Sequence, residues 1–437
     1  MITDIGWGTT MSDTRTFLML QGPHGPFFRS LATQLRAAGH KVLRIGFNYG
    51  DRFFWGMKDY VAFTGDPKDW PEFLENLLAE MGVTDVVLYG DTRLLHQQAI
   101  DITRTRQVEL HIFEEGYLRP FWISYERDGV NGYSPLSNIS IEEMRDALSR
   151  LDKDVSEVPA SWGELREHVF YGAVYHGLVM ARPGEYKNFR SHRRRTIRAE
   201  LRSHLKHMLQ RPFKAVRRSL AELQIKRGGY IYSLVLLQLA HDASIQHHSS
   251  FKDMISLIRL CLQDFANGAP KHHHLVFKAH PLEDYFQPLY EYAFARAEQL
   301  GIRDRVHFVE GGRLADLLDS AHSVVTVNST AGQQALWRGL PLRSLGRSVY
   351  NKESLVSSQP LAEFFADPKY PNKEDYLLFR RFMLETSQVF GGFYSSKGRI
   401  NILRNVLPRM LRKECPYTAV LVEPAERQDI PKLRLVK

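Results

Sequence analysis

Cysteine is nearly missing from this chain: it has two in 437 residues, Cys261 and Cys415, far apart. That spacing matches no metal-binding or disulfide framework, so a reducing, cytoplasmic setting is expected. Long apolar runs are missing as well. The longest, YIYSLVLLQLA at 230–240, is about half of the roughly 20 residues that a spanning helix needs, so no membrane crossing is expected. The opening MITDIGWGTTMSD has neither a basic start nor an apolar core, so no secretory signal is expected. No GxGxxG follows a hydrophobic strand and no GxxxxGK[ST] loop occurs, which argues against NAD and against ATP hydrolysis. No DxD-type carboxylate pair stands in a loop after a strand to hold a divalent metal on a diphosphate. The run HHH at 272–274 lies in or beside a strand, where successive side chains alternate between faces, so it is not read as a metal site.

What is present reads as globular, with 43% hydrophobic and 24% charged residues. The length suits two domains rather than one core. Charge is concentrated: from Lys187 to Arg227 fourteen Lys and Arg face only Glu200 and Glu222, a local +12 in a chain of net +9. The rest is therefore slightly acidic. This segment, taken as 181–227, reads either as a solvated helical linker or as a contact with an anionic membrane surface. Nucleic acid is not an expected partner, because no RNA- or DNA-binding module accompanies it.

The organisation is an alternation of strands and helices. TFLMLQG (16–22) is a buried strand entering a Gly-Pro-His-Gly turn, FFRSLATQLRAAGH (27–40) has helical spacing, and KVLRIGF (41–47) is the next strand. WPEFLENLLAEMG, DVVLYGD, LLHQQAIDITRTR and VELHIFEEG continue as helix, strand, helix and strand. Such βαβ units imply a parallel sheet, and one Rossmann-like domain is expected over 14–180. The pattern restarts at YIYSLVLLQL and runs through HLVFKAHP, RVHFVEGG and SVVTVNSTAGQQALWRG, giving a second Rossmann-like domain over 228–350. A helical tail, 351–437, is expected to pack across both. The expected fold class is α/β, with two Rossmann-like domains facing across a cleft, the GT-B architecture of glycosyltransferases.

In open α/β sheets ligands sit at the carboxyl ends of the strands. In the second domain these ends carry Lys278, His280 and Pro281, then Glu310, then Asn328, Ser329 and Thr330, the last three where a strand turns into a helix. Hydroxyls, free N–H groups, a cation and an imidazole together suit one phosphate. Ser329 or Thr330 acting only as a helix cap is the plain alternative. In the first domain His24, Asp91, Arg93, Glu114 and Glu115 follow three apolar strands and converge on one edge. Adjacent carboxylates repel, and partial burial strengthens the repulsion, so Glu114 and Glu115 need a reason to stand together.

FLMLQGPHGPFFRSLATQLRAAGHKV, GDTRLLH, FEEGYLRPFWI, GVNGYS, FKAHP and VNSTAGQQAL, in that order, resemble the capsule-synthesis family of KpsS and KpsC, called LipB and LipA elsewhere. The resemblance covers roughly residues 15 to 400. It implies a retaining, metal-independent β-Kdo transferase that uses CMP-Kdo as donor, needs no cofactor and acts at the inner face of the cytoplasmic membrane. KpsS-type members add the first Kdo to a phosphatidylglycerol-type lipid, and KpsC-type members, which carry the unit twice, extend it. The resemblance also implies a KpsC-type transferase and the capsule export machinery as partners. It carries Glu114, Glu115 and Gly116 over as the catalytic motif, His280 and Pro281 as the CMP motif, and Ser329 and Thr330 as the phosphate turn. Gln238, Asp242, His248 and Ser249 match its looser Gln, Asp and His-Ser pattern. Retention needs an enzyme nucleophile, which gives paired glutamates a purpose: Glu115 as nucleophile or base and Glu114 as its support. A non-catalytic export component, or a same-fold transferase using another CMP-sugar such as CMP-sialic acid, are the alternatives.

Overall fold

A computed structural model describes residues 14–151, 165–181, 184–189, 215–239, 245, 248–280 and 288–422. Pro281, Asp242 and most of the basic segment, residues 190–214, lie outside the described residues. Twelve strands are described: β1 (Thr16–Met19), β2 (Lys41–Gly46), β3 (Tyr60–Ala62), β4 (Asp85–Tyr89), β5 (Glu109–Glu115), β6 (Trp122–Glu126), β7 (Ile231–Leu236), β8 (His273–Ala279), β9 (Val306–Glu310), β10 (Ser323–Thr326), β11 (Leu342–Ser344) and β12 (Gln388–Phe390).

They form two sheets, ordered β12-β6-β5-β4-β1-β2-β3 and β11-β10-β7-β8-β9. The second sheet is wholly parallel, whereas in the first β6 pairs antiparallel with both β5 and β12. Strands such as β1 and β10 are buried along their whole length, because helices cover both faces of the sheets. On one face of the first sheet lie helices Phe27–Ala37 and Ser396–Leu411, and on the other Trp70–Glu80 and Leu94–Thr105. On one face of the second sheet, helices Met254–Gly268, Leu289–Gln299 and Leu361–Ala366 close a core around Phe277 and Phe265.

The remaining core joins the domains. Leu136, Ile141, Met144 and Leu148, which follow β6, pack in one cluster with Leu234, Val276 and Val324 of the second sheet and with Phe379 and Phe382 of helix Lys373–Glu385. Lys352 crosses the same junction, its Nζ donating to the carbonyls of Leu136, Ser137 and Ile139. These are two Rossmann-like domains facing across a cleft, a GT-B-type arrangement. In each sheet the strand order reverses beside its first strand, between β1 and β4 and between β7 and β10. Ligand crevices of open α/β sheets form at such points.

Candidate active site in the interdomain cleft

Each switch point is braced the same way. After β1, Gln21 accepts a hydrogen bond from the Arg93 guanidinium, which follows β4. After β7, Gln238 donates to Asn328 Oδ1 at 2.9 Å and accepts from the Asn328 N–H at 3.1 Å, and Asn328 follows β10. Gln238 is 5% exposed and Asn328 6%, so this pair fixes the shape of the turn from beneath.

The turn itself continues through Ser329 and Thr330. The Ser329 hydroxyl accepts from the Ala331 N–H at 3.2 Å, and its carbonyl accepts from the Tyr350 hydroxyl at 2.6 Å. The helix that follows, Gly332–Trp337, has only six residues, so its dipole is short and the charge at this end comes from side chains instead. Lys278 closes β8 and is 5% exposed. Burial lowers its pKa to about 8, opposed by Glu222 and assisted by Arg218, so the amine stands near the point where it takes up or yields a proton. Lys278, His280, Ser329 and Thr330 line one cleft of about 570 Å³. Its opposite wall is Tyr117, Leu118, Arg119 and Pro120 of the first domain, and its edge carries Trp337, Tyr376 and Arg380. Glu310 closes β9 beside the end of β8, and its carboxylate oxygens lie 2.9 and 3.0 Å from the Arg217 guanidinium of the helical residues 215–228.

Tyr117 to Pro120 follow directly on the paired glutamates. Glu114 and Glu115 are the last residues of β5, opposite Ser124 and Ile123 of β6, and alternation sends their side chains to opposite faces. Glu115 accepts from the hydroxyls of Tyr89, at 3.1 Å, and Tyr394, at 3.2 Å. Glu114 turns to the side of Gly90 and Asp91 and accepts the Glu115 N–H at 2.9 Å. Burial pushes the Glu114 carboxyl up to about 7; that N–H opposes the shift, while the charges of Glu115 and Asp91 add to it. Asp91, 2% exposed and bonded to the Val130 N–H at 2.9 Å, is pushed by burial to about 6. His96, whose Nδ1 meets the Gly90 carbonyl at 2.8 Å, holds the turn between them. His24 stacks on Tyr175 with ring centroids 4.3 Å apart.

Gly116 has a steric role. A Cβ built on it would overlap the backbone carbonyl of Trp122, so only glycine lets the chain leave β5 this close to β6. Sequence reasoning missed Tyr394, Tyr175 and Arg380, because nothing local marks a tyrosine 279 residues from its carboxylate partner as part of a site. Tyr89 and Arg119 did carry a signal, since they flank the two motifs that were singled out.

The sequence profile of the family described as "Capsule polysaccharide biosynthesis protein" matches residues 84–394, from β4 to the start of the last long helix. The capsule polysaccharide export protein KpsS of Escherichia coli is 31% identical over 396 residues, covering 88% of this chain and 98% of that protein. The capsule polysaccharide modification protein LipB of Neisseria meningitidis serogroup B is 29% identical over 395 residues, covering 88% and 93%. Among solved structures, the KpsC beta Kdo 2,7 transferase of Thermosulfurimonas dismutans aligns with a TM-score of 0.42 at 14% identity, covering 86% of this chain and 92% of that one. With a profile that covers residues 84–394 and a relative matched along nearly its whole length, this chain belongs to the capsule polysaccharide biosynthesis protein family.

Proposed function

We propose that this chain is a retaining β-Kdo transferase that moves Kdo from CMP-Kdo to a (lyso)phosphatidylglycerol-type lipid and so starts the poly-Kdo linker of a capsular polysaccharide. The observation that carries the reading is a cleft in a capsule-synthesis protein with Lys278, His280, Ser329 and Thr330 on one wall and a carboxylate pair at the root of the other. One ammonium and one imidazole suit the single phosphate of a CMP-sugar. In this reading the neutralising charge comes from side chains rather than from a metal ion. Pro281 belongs to the same proposed nucleotide site.

In the first half-reaction a Glu115 oxygen attacks the anomeric carbon as its bond to the phosphate oxygen breaks, and CMP leaves with that electron pair toward Lys278 and His280. In the second, the acceptor hydroxyl attacks the same carbon, the bond to Glu115 breaks, and the hydroxyl proton passes to a carboxylate. Glu115, released as that bond breaks, takes this proton, and Glu114 on the opposite face of β5 supports it by accepting the Glu115 N–H. The acceptor is a membrane lipid, so the protein works as a peripheral protein at the inner membrane face, beside a KpsC-type extending transferase and the export machinery. Among the described residues no helix is long and apolar enough to cross a membrane.

Glu115→Gln and Glu114→Gln test the reading, with CMP-Kdo, a lysophosphatidylglycerol acceptor and product detection by mass spectrometry. Glu115→Gln should bind CMP normally and lose at least about a thousandfold in transfer, roughly 4 kcal/mol of barrier. Near-normal transfer by both variants would leave the pair as a strand end and return the protein to the export-component reading.

A further inference from the structure

The helix Leu165–Ala181 lies over the carboxyl end of the first sheet and is pinned there. The Tyr175 hydroxyl accepts from Gln21, at 2.6 Å, and from Asn48, at 2.7 Å. His168 stacks on Tyr394 with centroids 4.1 Å apart, and Tyr394 donates to Glu115. One tyrosine ring thus separates the helix from the carboxylate. From residue 168 to its end this helix has no Asp, Glu, Lys or Arg, yet it is not enclosed. Val169 is 62% exposed, Phe170 60% and Met180 46%. Phe53, 53% exposed, extends the patch through a ring chain that runs Phe53, Phe54, Tyr171, Phe170. A helix that is apolar on every side is ordinarily buried, so a patch of this kind marks a surface that something else covers.

The second domain carries a counterpart. Residues 215–228 form a helix over the carboxyl ends of β8 and β9, held by Arg217 on Glu310. Val216, Leu220 and Leu223, spaced by four and three, are 58%, 60% and 42% exposed. Lys226 and Arg227 of the same helix are exposed, while Arg218 and the helix's one acid, Glu222, are turned inward toward Gly312 and Lys278. Apolar side chains in a row among basic ones, with the acid facing inward, are the chemistry of a helix lying in the headgroup region of an anionic bilayer.

We propose that these two stripes, one over the carboxyl strand ends of each sheet, dock the protein on an anionic phospholipid surface. The apolar side chains enter the headgroup boundary and the basic ones meet lipid phosphates. A lipid-linked acceptor, as proposed above, then reaches Glu115 from the bilayer across the width of one helix. The docking itself does not depend on that acceptor.

Flotation of the full chain with phosphatidylglycerol–phosphatidylcholine vesicles, and with phosphatidylcholine alone, tests this without donor or turnover. Its outcome is therefore separate from that of Kdo transfer. The variants are the pairs Val169→Ser with Phe170→Ser and Leu220→Ser with Leu223→Ser. Wild-type protein should float with the anionic vesicles, and each pair should reduce its partition by about tenfold or more while thermal unfolding and CMP binding stay as in wild type. Three results would overturn the proposal: no flotation of wild type, equal flotation of all variants, or a wild-type dimer that the substitutions split into monomers without changing flotation. The last would assign the stripes to a second copy of this chain.

Discussion

Replacing Lys352 by methionine isolates the polar clasp between the domains. Lys352 is 7% exposed, and its Nζ lies 2.7 Å from the Leu136 carbonyl and 2.8 Å from those of Ser137 and Ile139. An ammonium has three protons, and each has an acceptor. The three carbonyls belong to the 3₁₀ turn Pro135–Asn138 and the residue after it, so the lysine satisfies groups that the short helix leaves open. Methionine keeps the apolar stem and removes the donors. Hydrogen bonds from a charged group contribute about 1.5–3 kcal/mol each, but relieving the burial of an ammonium returns several kcal/mol. A net loss of about 3 kcal/mol is expected. Urea unfolding read by tryptophan fluorescence should show an earlier midpoint with an unchanged slope. Hydrogen exchange at residues 136–139 should accelerate in parallel, because the turn loses its partner. A loss below about 0.5 kcal/mol, the range of ordinary surface substitutions, would refute the reasoning.

Three further outcomes are expected. Gly116→Ala should destabilise the fold by at least about 2 kcal/mol in thermal or urea unfolding, because the overlapping neighbour is backbone and cannot rotate away. Glu114 holds its proton up to about pH 7 when folded but only to about 4.5 when unfolded, so between those values the folded state binds more protons. Its contribution to stability is therefore present at low pH and lost as pH rises through that window, by roughly 3 kcal/mol, and Glu114→Gln should flatten that part of the stability curve. Lys278→Met should weaken CMP binding by about tenfold in a calorimetric titration, and the wild-type affinity should be the same in EDTA as in magnesium.

Eight strands could be read from the sequence because each is a short, largely apolar run, and strands covered on both faces need little else. β3, β11 and β12 are three residues each and carry no period. β6, WISYE, mixes polar with apolar because its Ser124 and Glu126 serve buried networks: Gln388 donates to Ser124, while Tyr117, Ser134 and Tyr417 donate to Glu126. The site divides in the same way. Lys278, His280 and the paired glutamates follow strongly apolar strands, so their place at strand ends was legible. Gln238 and Glu310 were read as ligand contacts; the protein partners the structure gives them, Asn328 and Arg217, lie 90 and 93 residues away in sequence and carry no local signal. Gly116 entered the sequence reading only as part of the carried-over motif, and its steric need arises from a carbonyl that the β5–β6 pairing brings close.

The antiparallel pairing of β12 with β6 has a consequence for synthesis. Residues 388–390 complete the sheet that residues 16–19 begin, and helix Ser396–Leu411 then covers it against Phe27–Ala37. On the ribosome, β6 emerges about 260 residues before its edge partner, an interval of tens of seconds at roughly 5–20 residues per second. During that interval the intervening second domain, whose five-stranded sheet needs no later strand, is made in full. The first domain to be translated is therefore the last to be finished. Until then the open flank of β6 and the uncovered apolar face of Phe27–Ala37 are the parts of the nascent chain most in need of a chaperone.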